Sequence, residues 1–445
     1  MRNKPGIVLI LLCVFVTYSH AQAVRNITLK EAINLSLENN KYLKVNQAKV
    51  DEAIAEVSAA KDKRLPGSTI SGSYLRMNNA DIDMKIKPSS GSGGSAQPGQ
   101  SISADQAMYG ILNVSLPLYT GGKIKYGIHS AELLAKAAEL DGENQKEEVI
   151  ATTIEAIANL FRANSAVTLV KESLEQNKQR VIDLSNLEKN GIIARNDLLK
   201  AQLQESNVEL SMLDAENNLQ IANLNMNIML GLPDDTQLRL DTSGIVKSKE
   251  DRSLDDYIRS ALAHRKDKEA LGYQLDAANI GISVAKADKL PNLSLTGGYI
   301  AGYIPNVIAI TNALNIGVGL SYNIASLWKT KSKIDQAQAR VNQLKWNQSI
   351  MDDNLRLEVS KAYMLYTSFR KKIDVTEKAR IQAEENYRII KNKFDNQLAT
   401  TTDLLEADVA KLQANINYTA TRADTFVAQK KLLLSAGLLS QDIDK

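Results

Sequence analysis

The chain has 445 residues, 44% hydrophobic but only 5% aromatic, with 8 prolines, 3 histidines and a single cysteine. Its formal net charge is +3, falling to about +1 (3 − 2) without Arg2 and Lys4, which is no footprint of a nucleic-acid binder. Length alone suggests about three domains, but the scarcity of aromatics and prolines argues against large globular cores and for long Ala-rich helices.

At the start of the chain Arg2 and Lys4 precede an apolar run from Ile7 to Val16, and Ala21-Gln22-Ala23 supplies small residues. This pattern predicts a secretory signal peptide over residues 1–21, with a second cleavage position after Ala23. Cys13 follows Leu12, where a lipidation site wants a small residue. It is the only thiol, so the exported chain has neither disulfides nor a thiolate metal site. No later segment offers the roughly 18 apolar residues of a membrane helix, so a membrane can be met only with strands.

The rest of the chain is written twice. "TLKEAINLSLENN" from Thr28 lies on "SLDDYIRSALAHR" from Ser253, and "AKDKRLPGSTISGSY" lies on "AKADKLPNLSLTGGY". Pro66 and Pro291, Gly72 and Gly297, and Tyr74 and Tyr299 share an offset of 225 (291 − 66). Further on the offset is 206 (403 − 197), pairing Ile128 with Ile334, Asp197 with Asp403, and Gly231 with Gly437. The difference of 19 residues (225 − 206) falls on "KPSSGSGGSAQPGQS", residues 87–101, a composition that cannot bury a core and predicts a flexible exposed loop. Its counterpart near Ile304 to Thr311 is short. Each half therefore reads helix, strand, loop, strand, long helix, tight turn, helix. The expected division is a first repeat at 22–240, a linker at 241–252 and a second repeat at 253–445.

The strands alternate. Leu112, Val114, Leu116 and Leu118 oppose Asn113 and Ser115, while Leu314, Ile316, Val318 and Leu320 oppose Asn315, Gly317 and Gly319. "GSTISGSYLRM" alternates only weakly. Such segments, with Tyr74, Tyr119, Tyr299, Tyr303 and Tyr322 as interface anchors, suit an outer-membrane barrel, although a water-soluble sheet buried on one face reads the same way. In lipid the choice has a consequence: four strands cannot close on themselves, and open edges leave backbone groups unsatisfied, so a membrane reading requires several chains to share one barrel.

The long helices, from about Gly122 to Glu188 and from about Trp328 to Phe394, would each extend near 100 Å at 1.5 Å per residue. Their stripes, such as Ile150, Ile154, Ile157 and Phe161, and Leu199, Leu203, Ser206, Leu210 and Leu213 in the next helix, repeat with a period near 3.5.

With "KRLP" and "DKLP" before the strands, "LNVSLPLYTGGKIKYGI" and "GLSYNIASLWKTKSKI" after them, and the paired turns "KNGIIARNDLLKAQ" and "DNQLATTTDLLEAD", the chain resembles the TolC-like outer-membrane efflux proteins over nearly its whole mature length. The resemblance implies a mainly α fold with a small β part: long antiparallel helical hairpins forming an α-barrel, plus four strands given to a shared 12-stranded β-barrel in a homotrimer. It implies a passive exit duct in the outer membrane, reached through a periplasmic adaptor and a proton-driven or ATP-driven inner-membrane pump, for efflux or type I secretion. The reading from another class is a periplasmic coiled-coil scaffold or adaptor without a barrel, for which the weak first strand speaks.

The resemblance also implies site residues. Asp403 and Glu406 match positions that ring the narrowest aperture, although Asp403-x-x-Glu406 also reads as a capping box. Asp197 matches a gating aspartate whose expected basic partner is here Ala399, leaving Arg195 as the other gate candidate. Gly191 with Ile192, and Gln397 with Leu398, stand at the turns that dock an adaptor, Gln397 replacing a glycine. No catalytic constellation, metal site, cofactor or energy-coupling motif is expected: His129 and His264 fall on separate helices, and "TGGKIK" lacks phosphate-loop spacing.

Overall fold

The structure is a computed structural model that describes residues 24–82, 102–241, 252–305 and 308–440. The expected signal peptide, the Gly/Ser loop 87–101 and most of the linker lie outside these residues. The chain divides into two units, one of residues 1–43, 146–263 and 356–445, the other of residues 44–145 and 264–355.

The second unit holds the β structure: β2 (Gly67–Ile82), β3 (Ile102–Tyr119), β5 (Asn292–Ile304) and β6 (Ile308–Ser321). They form one antiparallel sheet in the order β2-β3-β5-β6. β2 is no weak element: it runs 16 residues and pairs with β3 from Gly67↔Ser115 to Ile82↔Ile102, which removes the reason for preferring a scaffold without a barrel. β2 and β6 are the outer strands, and β6 turns a fully apolar row outward, with Leu314 82% and Ile316 81% exposed.

The same unit contains α2 (Lys41–Asp62), α6 (Lys266–Ala287) and the N-terminal parts of α3 (Lys123–Lys189) and α7 (Ser326–Asp395), up to residues 145 and 355. At 67 and 70 residues, α3 and α7 match the expected long helices. Ala137, Leu140 and Ala270 make a small packed cluster with Tyr273, consistent with helices that approach closely through small residues.

The first unit contains α1 (Leu29–Asn39), α4 (Arg195–Leu230), α5 (Leu254–His264) and α8 (Thr401–Ser435). The helix expected at the start of each half is broken in two. Asn40 and Arg265, 225 apart (265 − 40), both leave helical geometry, with ψ of 120° and 123°. Asn40 Oδ1 then accepts from the Tyr42 amide at 2.8 Å, restarting the helix as an N-cap does. A parallel pair of four-residue strands, β1 (Val24–Ile27) and β4 (Gln237–Leu240), was not expected, since segments this short show no alternation to read.

The core of this unit gathers Ile33, Ile154, Tyr257, Val359, Phe426, Leu432 and Leu433 from five helices. A second cluster joins Ile27, Ile157, Leu160, Met226 and Leu230. Each fully buried aliphatic side chain of this kind contributes about 1.5–3 kcal/mol. In the α3 stripe Ile150, Ile154 and Ile157 are buried and Phe161 half-buried, but the α4 stripe is not covered: Leu199, Leu203, Leu210 and Leu213 are all exposed, and α4 buries Leu198, Ala201, Val208 and Ala215 instead. The periodicity identified a helix with two apolar faces, and only one of them packs against the described residues.

Candidate functional site

The expected site residues lie in the first unit, at two helical hairpin turns built on one plan. α3 ends where Gly191 takes a φ of 71°, its amide bonding the Glu188 carbonyl at 2.8 Å and the Ile192 amide the Leu187 carbonyl at 2.9 Å. α7 ends where Gln397 takes a φ of 62°, with the Gln397 amide on the Phe394 carbonyl at 2.9 Å and the Leu398 amide on Lys393 at 2.7 Å. This is a left-handed helix stop, repeated 206 positions on (397 − 191), and a glutamine adopts it where glycine is the natural occupant. Ile192 and Leu398 leave these turns 55% and 76% exposed, and nothing lies within 4 Å of a side chain added at Gly191.

The helices that follow start differently. Thr400 caps α8: its hydroxyl accepts from the Asp403 amide at 3.2 Å, while Asp403 Oδ2 accepts from the Thr400 amide at 2.9 Å and hydroxyl at 2.7 Å. The capping box is thus Thr400 with Asp403, not Asp403 with Glu406, because Asp403 sits at the third helical position. The Thr400 hydroxyl and amide hold the Asp403 carboxyl below the usual carboxylate range. Glu406 is exposed one turn on.

At α4 the matching cap position is Ala194, which offers no side chain, so the Asp197 carboxylate is not drawn into a box. It meets Lys200 Nζ at 3.4 Å, and Lys200 also donates to Thr402 Oγ1 at 3.1 Å, joining the two hairpins. Arg195, the expected gate partner, instead lies 3.9 Å from Glu188 and does not reach Asp197. Lys200 was visible in the sequence only as the residue standing where the other turn has Glu406.

Deeper between the hairpins lies a polar group that no motif announced. Arg180 Nη1 donates to Asp408 Oδ2 at 2.9 Å and to Asn177 Oδ1 at 3.1 Å, Asn177 Nδ2 donates to Asp408 Oδ2 at 3.0 Å, and Arg180 Nη2 reaches the Tyr387 hydroxyl at 3.2 Å. The Arg180 and Asp408 side chains are 9% and 4% exposed. The network ties α3, α7 and α8 together. Its one signal in the sequence was a carboxylate, Asp408, set beside Leu404 and Ala407 on the buried stripe of α8.

The model of the family described as outer membrane efflux protein matches residues 32–232 and 257–438, two segments that begin 225 positions apart (257 − 32). The chain belongs to the outer membrane efflux protein family. The chain is accordingly an outer-membrane protein with a periplasmic helical part. Toxin and drug export protein A of Aggregatibacter actinomycetemcomitans is 23% identical over 310 residues, covering 67% of this chain and 65% of that protein. Outer membrane protein TolC of Vibrio cholerae is 25% identical over 340 residues, covering 71% and 73%. The Campylobacter jejuni CmeC outer membrane channel, a solved structure, has the same fold, with a TM-score of 0.73 at 19% identity over 94% of this chain and 88% of that one. Among the described residues there is no cluster of His, Cys, Asp or Glu able to hold a metal, and no helix long and apolar enough to cross a membrane.

Proposed function

We propose that this efflux protein works as a homotrimeric exit duct, three sheets closing one 12-stranded barrel, and that it passes cargo outward without chemistry of its own. The observation that supports this best is the four-stranded sheet, which leaves the outer edges of β2 and β6 unpaired in one chain. In lipid each unpaired backbone group costs several kcal/mol, and pairing β6 of one copy with β2 of the next removes both edges. The exposed leucine row of α4 favours the same assembly, since a second copy can cover it.

On this reading the turns at Gly191 and Gln397 face a periplasmic adaptor, with Ile192 and Leu398 as apolar contacts, and an inner-membrane pump supplies the energy. Asp403 and Glu406 bring two negative charges per chain to a constriction, whereas Asp197 and Lys200 cancel in the other turn. Three copies would focus a negative potential there and select cations. Lys200, bridging to Thr402, is a better latch for the closed hairpins than Arg195. On the same reading the first repeat spans residues 22–240 and the second 253–445. The cargo class is that of the named relative, toxins or drugs.

The test is assembly with conductance. Detergent-extracted protein should have the mass of three chains and form channels in planar bilayers. Recovery as a lipid-free monomer from the soluble periplasm would reject the duct. A Gly191→Arg variant that assembles normally but fails to support export would support docking at the turn; unimpaired export would remove it.

A further inference from the structure

The helices leave the sheet through four junctions, and every one is lined with cations: Lys61, Lys63 and Arg64 before β2, Lys123 and Lys125 after β3, Lys286 and Lys289 before β5, and Lys329, Lys331 and Lys333 after β6. All are exposed. Only Asp62 and Asp288 oppose them within these short stretches. Asp288 is already engaged, accepting from Lys123 at 2.5 Å and Lys333 at 2.6 Å, and this pair of ammonium groups holds its carboxyl below the usual range.

The cations are also organised. A cleft of about 370 Å³ opens among the end of α6 and the starts of α3 and α7, lined by Lys123, Asp288, Asn292, Asn323, Lys329 and Lys333. Three lysines against one aspartate leave it two positive charges in excess. Leu290 also lines the cleft, and exposed Ile324, Leu327 and Trp328 adjoin its lining residues Asn323, Ser326 and Lys329 in sequence, just past the apolar row of β6. A cationic cleft under an apolar surface with an indole at its edge has the two-part chemistry of a phospholipid: phosphate below, acyl chain above.

We propose that this cleft is a binding site for the phosphate headgroup of an anionic phospholipid in the periplasmic leaflet, and that the surrounding lysines form a basic collar on that leaflet. The proposal rests on the reading of the sheet as membrane-spanning with the helices on the periplasmic side. Lys123 and Lys333, bridged by Asp288, stand as a fixed platform. Lys329, which has no carboxylate partner among the described residues, is the group left to meet the phosphate.

The experiment uses the full chain reconstituted into mixed phosphatidylcholine and phosphatidylglycerol vesicles, with retained lipid counted by native mass spectrometry. Wild-type protein should hold phosphatidylglycerol over phosphatidylcholine by about tenfold at low salt, falling as salt screens the collar. Lys329→Gln with Lys331→Gln should bring the preference to within about twofold, and Lys329→Arg with Lys331→Arg should keep it. Retention in proportion to vesicle composition, or a preference untouched by the Gln pair, overturns the site. Complete displacement by inorganic phosphate assigns the cleft to free phosphate, and preferential binding to peptidoglycan assigns the collar to the cell wall; either overturns the lipid. Failure of wild-type protein to enter the vesicles removes the membrane-spanning reading itself, an outcome distinct from insertion without lipid preference.

Discussion

Gln397 holds a φ of 62° at the place where Gly191, 206 positions earlier, holds 71°. Both residues stop a long helix with the same pair of backbone hydrogen bonds, so the two turns share one geometry although only the first has a glycine. A residue with a Cβ in this region is strained by about 1 kcal/mol relative to glycine. Gln397→Gly should therefore stabilise the protein by about 1 kcal/mol, less the added chain entropy of glycine when unfolded, while Gly191→Ala should destabilise it by a similar amount. Unfolding midpoints of detergent-solubilised protein check both. A Gln397→Gly variant that is less stable would mean that the glutamine side chain makes compensating contacts.

The buried pair of Arg180 and Asp408 predicts an asymmetric mutational response. Removing one partner strands a charge that is almost wholly out of water, a loss of about 3–5 kcal/mol. Asp408→Ala should fall in that range. Replacing Arg180 and Asp408 together by Met and Leu should recover most of the loss, because the desolvation penalty then disappears with the charges. Equilibrium unfolding of the single and paired variants measures the coupling; additive losses would show that the network carries little interaction energy.

The duplication, the long helices, the strand positions and the turns were legible because each is a local pattern: period, punctuation or self-similarity. Partners distant in sequence were not. Arg180 and Asp408 are 228 positions apart, and nothing in "KQRVID" or "LEADVAK" says they meet. Capping was legible in principle, since Thr400 stands three residues before Asp403, but the adjacent Asp403-x-x-Glu406 spacing offered a second register and only backbone geometry chose between them. The leucines of α4 show a deeper limit. Periodicity reports that a face is apolar without telling whether this chain or a neighbouring copy covers it.

That exposed row carries a test of assembly. Leu203 and Leu210 sit two turns apart on the uncovered face of α4, away from the buried Leu198, Ala201 and Val208. Glutamates at both positions place charges in any interface that covers the row and leave the chain's own core untouched. Leu203→Glu with Leu210→Glu should shift detergent-extracted protein from trimer to smaller species by light scattering, with helicity by circular dichroism unchanged. A trimer of normal stability would show that the row faces water or an open lumen.

Asp403 has two roles to separate, one in the cap of α8 and one in the proposed charge ring. Thr400→Ala removes the two hydroxyl bonds of the cap, leaving the backbone-amide bond and the carboxylate, whereas Asp403→Asn removes the charge. If the ring sets selectivity, Asp403→Asn lowers cation preference in planar bilayers and Thr400→Ala leaves it intact at neutral pH. Acid then distinguishes them further. Because Thr400 depresses the folded Asp403 pKa below its unfolded value of about 3.9, the cap's contribution to stability is complete above that value and is lost as pH falls through the lower folded one. The Asp403 charge correspondingly persists into more acidic solution than a free aspartate's would. In Thr400→Ala the titration returns toward the ordinary range, so the acid-induced loss of the Asp403 contribution to cation selectivity should begin at a higher pH than in the wild type. Identical pH profiles for the two proteins would mean that Asp403 does not face the conducting path.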